Sequence, residues 1–249
     1  MPAHFFLPNY LPTGESTFQL SPGSPLTITG ERHHYLTRVM RQRQGDTISA
    51  FDGRGHGFTA TLTAIGNKEA QAQIDQVAAQ QARITPEVTL SLSMLKGQAM
   101  DRALQAAVEM GAADVHLVFA DHTNVSLDAK RLAKKVEHWQ KLIIAACEQS
   151  GQLWLPELYV HDSWGVALNH AQFTKRVSLV CSQNASRLHA DSVPDSGVNF
   201  LVGPEGGWSE PELREFASRD LTSVSLGRST LRAETMPVAL LAVVDYLRA

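Results

Sequence analysis

Apolar positions recur along this chain with two different rhythms, and the change between them divides it. Within residues 1–76 they come in short groups cut by Pro8, Pro12, Gly14, Pro22, Gly23, Pro25 and Gly30. That punctuation favours compact β structure over long helices. Thr47-Ile48-Ser49-Ala50-Phe51 alternates as a half-buried strand does, between turns at Gly45-Asp46 and Asp52-Gly53. Phe58-Thr59-Ala60-Thr61-Leu62 repeats the pattern, so the pair predicts a hairpin closed by residues 53–57. One short helix is predicted over residues 33–40. Together these predict a small β-barrel, followed by a polar, Ala/Gln-rich connector over residues 76–86.

Beyond the connector the rhythm lengthens. Val88, Leu90, Leu92 and Met94 alternate as a strand, and Met100, Ala103, Leu104, Ala107 and Val108 then keep helical spacing until Gly111 stops them. Residues 115–119 form a short apolar run. Asp128 is placed to cap a long helix whose stripe is Leu132, Val136, Trp139, Ile143 and Ala146. Residues 177–181, 198–202 and 222–226 are three more runs of strand length, the last two followed by helices over 210–218 and 237–247. Strands alternating with helices predict a parallel α/β sheet covered on both faces. Two domains are expected, residues 1–76 and 77–249.

Composition narrows the class. At 249 residues the chain can bury roughly 70% of its unfolded surface and needs no crosslinks to fold. Lys and Arg total 22 against 25 Asp and Glu, a net charge of −3, which excludes a basic coat protein but not a local basic patch. Cys147 and Cys181 are too few for a disulfide framework and suit a reduced, cytoplasmic setting. The opening residues lack a signal-peptide pattern, and no run approaches the roughly 20 apolar residues of a membrane span. A soluble protein away from membranes is expected. The ten histidines include no H-E-x-x-H spacing, so no metal is expected. No G-x-S-x-G elbow or G-x-G-x-x-G fingerprint points to a hydrolase or a dinucleotide enzyme. Gly53-Arg54-Gly55-His56-Gly57 is read as a hairpin turn, since no helix follows it.

The most informative residues lie where two strands end. The run ending at Val202 enters Gly203-Pro204-Glu205-Gly206-Gly207-Trp208, and the run ending at Leu226 enters Gly227-Arg228-Ser229-Thr230-Leu231-Arg232-Ala233-Glu234-Thr235. In open α/β sheets ligands bind beyond the carboxyl ends of strands. Ser209 with Glu212 forms a capping box after the first loop, with Pro211 in the first turn. A phosphate cradle offers bare N–H groups and a positive helix end. Here Glu205 would repel a pyrophosphate and Pro204 removes a donor. A cofactor without phosphates and with positive charge, such as S-adenosylmethionine, fits better. Tight strand-to-helix packing is the alternative reading of the same glycines.

These two loops resemble the cofactor loops of the RsmE family, the ribosomal RNA small subunit methyltransferase E proteins of the SPOUT class. Lys96-Gly97, Val108-Glu109-Met110-Gly111, Trp139 and Ala145-Ala146-Cys147-Glu148-Gln149-Ser150-Gly151 match similar words of that family. So do His34, Arg38-Val39-Met40-Arg41, Gly45-Asp46 and Asp52-Gly53, and the likeness covers essentially the whole chain. It implies an N-terminal PUA-like barrel that helps hold RNA, and a C-terminal α/β domain with a trefoil knot. It also implies a homodimer and methylation of a uridine at N3 in 16S rRNA of the small ribosomal subunit, with S-adenosylmethionine as donor. Carried over residue by residue, cofactor contacts are expected from Leu179, Val202, Gly203, Pro204, Glu205, Gly206, Gly207, Leu226, Gly227, Ser229, Leu231, Arg232 and Thr235. Two departures stand out: Arg228-Ser229-Thr230 where the family more often has Arg followed by Ile or Val, and Gln152 where an Arg is common.

N3 of uridine carries a proton that must leave before the nitrogen can attack a methyl group. A carboxylate suits that task, and a cation can stabilise charge developing on O2 or O4. Arg232 is expected to orient the base or its phosphate and Glu234 to shape the site, with Glu205 or Glu234 as the proton acceptor. An Arg–carboxylate bridge that only fixes the loops is the structural alternative. For RNA, residues 32–43 carry Arg32, Arg38, Arg41 and Arg43 and no acid, a local charge of +4 in an acidic chain. Arg54 adds to this, and His33 and His34 are candidates to meet a base. Two rivals stand beside this reading: a SPOUT methyltransferase for another RNA base, and an RNA-binding module without turnover.

Overall fold

A computed structural model describes residues 4–11, 13–78, 80–170 and 176–248, so Pro12 of the predicted punctuation lies outside the described residues. The chain forms two compact units, Met1–Arg83 with Cys147–Leu155, and Ile84–Ala146 with Pro156–Ala249.

In the first unit β1 (His4–Phe6), β2 (Pro25–Thr29), β3 (Thr47–Phe51), β4 (Gly57–Ile65) and β5 (Glu69–Val77) form one sheet in the order β1-β3-β4-β5-β2. Among the described residues of this sheet, β1–β3 is the one parallel pair. Alternation sends Leu26, Ile28, Ile48, Ala50, Ala60, Leu62, Ala72 and Ile74 inward with Phe5, so all five strands share one apolar core, as a small barrel requires. The predicted hairpin is present. Asp52 fixes its turn by accepting from the backbone N–H groups of Arg54 (2.8 Å) and His56 (3.1 Å). Two differences have local causes. The strand β5 extends through Val77 into the predicted connector, because Ala70, Ala72 and Ile74 pair inward while Glu69, Gln73 and Asp75 face solvent. The short helix starts earlier than expected, as α1 (Gly30–His34) continuing into a π-helical turn over Tyr35–Val39.

The second unit is built on a six-stranded, all-parallel sheet. Its strands are β6 (Val88–Ser93), β7 (Asp114–Val118), β8 (Glu157–His161), β9 (Val177–Arg187), β10 (Val198–Val202) and β11 (Thr222–Ser225), in the order β11-β9-β10-β6-β7-β8. Every residue of β6, β7 and β10 is buried, the pattern of strands covered on both faces. One face packs Leu90, Leu92, Leu117, Phe200 and Val202 against α2 (Gln98–Glu109), α3 (Ala129–Ser150) and α6 (Met236–Arg248). The other packs Val118, Val180 and Leu201 against Trp164 and Ala167 of α4 (Trp164–Ala167) and Phe216 of α5 (Glu210–Ser218). Asp128 caps α3 as predicted, accepting from Arg131 N at 2.8 Å. Strand β8 was not foreseen.

Burial forces polar groups in this sheet to find partners. Ser91 Oγ donates to Asn199 Oδ1 (2.8 Å), and Asn199 Nδ2 donates to Ser178 Oγ (3.3 Å), a bonded row across three strands. Arg176 lies among Glu87, Thr89 and Asp114. His116 on β7 stacks on His161 of β8 with centroids 5.1 Å apart and Nδ1 2.9 Å from Nε2, and His170 meets both edge-on. Burial, then the neighbouring His161, His170 and Arg176, pushes the His116 pKa down to about 3. Burial also lowers that of His161. Among the described residues no helix is long and apolar enough to cross a membrane, and no group of three or more His, Cys, Asp or Glu could hold a metal ion.

Candidate functional site

The two strand-terminal loops of the second unit meet around one cavity of about 500 Å³, a volume in the range of small-molecule sites. From the first loop it is lined by Val202, Gly203, Pro204, Glu205, Gly207 and Trp208, and from the second by Leu226, Gly227, Ser229, Thr230, Leu231 and Arg232. Strand order explains the meeting: β10 and β11 both flank β9, so their carboxyl ends open on the same edge.

The first loop is tied down at each end. Trp208 packs edge-on to Trp164 (5.2 Å) and Phe216 (5.0 Å), and its indole N–H donates to Cys181 O at 3.1 Å. A Cβ added at Gly203 would sit 3.0 Å from that indole, so a side chain there would require the packed Trp208 to give by a few tenths of an ångström. Gly207 has φ +74, and its carbonyl accepts from His122 Nδ1 at 3.1 Å. The predicted capping box is formed: Ser209 N donates to Glu212 Oε2 (2.8 Å) and Glu212 N to Ser209 Oγ (3.2 Å). Buried Glu212 also accepts from Asp121 N at 3.0 Å. The amino end of α5 is therefore already satisfied and carries a buried carboxylate. A pyrophosphate has no place there, and the cavity suits a neutral or cationic small molecule.

Other predicted residues stand back from the cavity. Leu179 is buried in the core, two residues before Cys181 on β9, and Gly206 lies against His122. Thr235 is exposed and its N–H donates to Arg232 O at 2.9 Å, closing the turn into α6. Glu234 Oε1 lies 4.0 Å from Arg232 Nη1 and 3.6 Å from Arg102 Nη2. Glu205 lines the cavity from an exposed position.

Part of the wall was not anticipated. Val180 and Ser186 of β9 face the adjacent residues Ser223 and Val224 of β11, so residues 181–185 have no ladder partner on that strand. Cys181, Ser182 and Gln183 in this excursion line the cavity, as do Met236 and Leu240 of α6. No local signal marks a register jump of this kind, because it depends on pairing with a distant strand. Burial pushes the Cys181 thiol up to about 12, so it is no nucleophile near neutral pH. Cys147, expected in a core, is buried, and desolvation raises it to about 12 as well.

The arginine-rich segment of the first unit divides into two kinds. Arg32 is engaged internally: it pairs with Glu148, which also accepts from Phe6 N, and stacks 4.2 Å from the Phe5 ring centre. His33 is buried with Nε2 3.0 Å from Gly66 O, which removes it from the residues expected to meet a base. His34, Arg38, Arg41 and Arg43 are exposed, and exposed Arg54 lies over Tyr10 at 4.3 Å.

Comparison with known proteins agrees with this architecture. Residues 82–245 match the RNA methyltransferase domain model, and residues 28–75 match the RNA methyltransferase PUA domain model. The crystal structure of a ribosomal RNA small subunit methyltransferase E from Neisseria gonorrhoeae bound to S-adenosyl methionine superposes with a TM-score of 0.85 at 31% identity. That superposition covers 99% of this chain and 98% of the other. Ribosomal RNA small subunit methyltransferase E of Synechocystis is 28% identical over 89% of this chain and 73% of its own length. That of Bacillus subtilis is 25% identical over 92% of each. The five-stranded PUA-like sheet, the parallel α/β domain and the paired glycine loops thus come together in one assignment: this chain belongs to the RNA methyltransferase family, and within it to the ribosomal RNA small subunit methyltransferase E (RsmE) proteins.

Proposed function

We propose that this chain transfers a methyl group from S-adenosylmethionine to N3 of a uridine in the 16S RNA of the small ribosomal subunit. The observation that carries this reading is the cavity walled by the loops after β10 and β11, which excludes a phosphate cradle and offers apolar walls beside bare backbone. Val202, Leu226, Leu231, Met236 and Leu240 would hold an adenosyl group, and the carbonyl and N–H groups of both loops would bond its edges. Bound S-adenosylmethionine supplies an electrophilic methyl group on a sulfonium centre.

The remaining work falls to side chains. The apolar walls exclude water from the reacting atoms. Arg232, at the cavity wall and largely exposed, orients the uracil or its phosphate and offsets charge on O2 or O4. Of the two candidate carboxylates Glu205 lines the cavity, so we assign the N3 proton to a Glu205 carboxylate oxygen. Glu234 shapes the site by holding Arg232. Exposed His34, Arg38, Arg41 and Arg43 would grip the RNA backbone, and Arg54 would extend that surface. Arg32 lends them a fixed helix through its pairing with Glu148.

The same reading includes a homodimer, supported by exposed Val238 and Tyr246 on α6. It also includes a trefoil knot in the C-terminal domain and work in the cytoplasm.

Calorimetry with S-adenosylmethionine should show one saturable site, and mass mapping of rRNA nucleosides should lose 3-methyluridine on gene deletion and regain it on restoration. Retention of that nucleoside, or loss of a different one, would overturn the base assignment. Substituting Arg38 and Arg41 together should flatten the salt dependence of RNA binding by roughly 0.7–0.9 log units per lost phosphate contact. An unchanged slope would remove this patch from the RNA surface.

A further inference from the structure

We propose that Arg102, on α2, is a further RNA-binding residue, forming with Arg232 a two-guanidinium clamp for a phosphodiester next to the target nucleotide. The proposal rests on the RNA methyltransferase reading above. Its basis is the geometry around Glu234.

One carboxylate oxygen, Glu234 Oε1, faces both guanidiniums, at 3.6 Å from Arg102 and 4.0 Å from Arg232. These separations are ionic, too long for hydrogen bonds, so the pairs consume neither fork of N–H donors. Exposure is divided unequally. The Glu234 side chain is 16% exposed, whereas those of Arg102 and Arg232 are 59% and 84% exposed. The trio therefore presents its cations to solvent and its anion to the protein, with one positive charge in excess. Two guanidiniums this close would repel one another, and Glu234 between them offsets that repulsion while RNA is absent.

Two other arginine–carboxylate pairs of this unit differ from this trio: Arg214 stands 3.9 Å from Glu210, whose side chain is 83% exposed, and Arg219 is drawn close. Arg219 closes on Glu215 with Nε at 2.8 Å and Nη2 at 2.7 Å from the same carboxylate oxygen. The looser Arg102–Glu234–Arg232 arrangement keeps its donors for another anion. A phosphodiester is the anion that a methyltransferase acting on RNA brings to this place, and forked guanidiniums match its oxygens. Arg232 lines the cavity and Arg102 reaches the same carboxylate from a separate helix, so an anion held by both is fixed relative to the cavity.

The test uses the full chain with purified 16S rRNA, comparing wild type with Arg102→Ala, Arg102→Lys and the surface control Arg214→Ala. Arg102→Ala should raise KM for RNA about tenfold and leave kcat unchanged. It should also flatten the salt dependence of RNA binding by about one phosphate contact. Arg102→Lys should restore the salt slope but only part of KM, since a lysine keeps the charge and loses the fork. S-adenosylmethionine affinity and melting temperature should match wild type in both, and Arg214→Ala should change nothing. Unchanged KM and slope in Arg102→Ala would overturn the clamp. So would a fall in cofactor affinity with normal RNA binding, which would make Arg102 a brace for the second loop. If the wild type itself transfers no methyl group to RNA, the methyltransferase reading fails instead, and cofactor-free filter binding of the same RNA still decides the clamp.

Discussion

The two loops that wall the cavity come from similar sequence contexts, strand then glycine, yet they are held in different ways. The 203–208 loop is locked by an aromatic cluster, a hydrogen bond to His122 and a complete capping box. The 227–235 loop is mostly exposed, and its charged residues meet partners only at ionic distance. Rigid packing holds the wall where a cofactor would need fixed contacts. Loosely held charge lines the side where, on the proposed function, an RNA chain would arrive and leave. Precision and adaptability are thus assigned to different stretches of backbone.

Experiments on both loops and their supports would break or sharpen that contrast. The largest effect is expected from Glu205→Gln on the locked loop, which should lower kcat about a thousandfold if this carboxylate takes the N3 proton, with no change in melting. Glu234→Gln on the looser loop should cost far less in the same single-turnover assay, and the reverse ranking would exchange the two roles. Trp208→Ala should lose about 3 kcal/mol in urea unfolding, because it empties a site packed by Trp164, Phe216 and Gly203.

Acid should act next. His116 stays neutral in the folded chain down to about pH 3, and His161 is also held below the usual imidazole range. Between about pH 3 and 6.5 the unfolded chain binds a proton at His116 that the folded chain does not, and His161 acts in the same direction, so stability is full above that window and falls as pH drops through it. His116 should cost about 2 kcal/mol between pH 7 and 5, and His116→Gln should flatten the curve. His170 follows α4, whose Trp164 supports Trp208, so hydrogen exchange should loosen the first loop before the second. The smallest change is expected from Arg232→Ala, which should alter stability by less than about 0.5 kcal/mol while slowing methyl transfer.

Local signals carried much of this architecture. Four apolar residues among the five of β10, followed by Ser209 and Glu212 at capping-box spacing, located a strand, a loop and a helix that the structure places at the same residues. The edge strand β8 escaped because Glu157–His161 is only half-buried and shows no clean alternation. The strand β5 escaped because alanines supply most of its inward face and four polar residues alternate with them. Of the cavity wall and its surroundings, Gly203 and Arg232 could be read from sequence, whereas Gln183 in the wall and Arg102 beside Glu234 could not. Gln183 enters through a register jump between distant strands, and Arg102 is one exposed cation on a helix whose opposite face is apolar. Which surface arginine approaches which carboxylate is decided by tertiary packing.

The unpaired stretch 181–185 of β9 has a consequence for how this pocket changes over time. The ladder is already interrupted there, so residues can be added or removed without shifting the pairs on either side, Leu179 with Thr222 or Arg187 with Ser225. Elsewhere in the sheet a one-residue insertion would turn buried side chains outward. Between Cys181, whose carbonyl holds Trp208, and Ala185, whose carbonyl accepts from Ser225, this wall of the pocket can therefore be lengthened, shortened or rewritten as a cassette while the scaffold keeps its alignment.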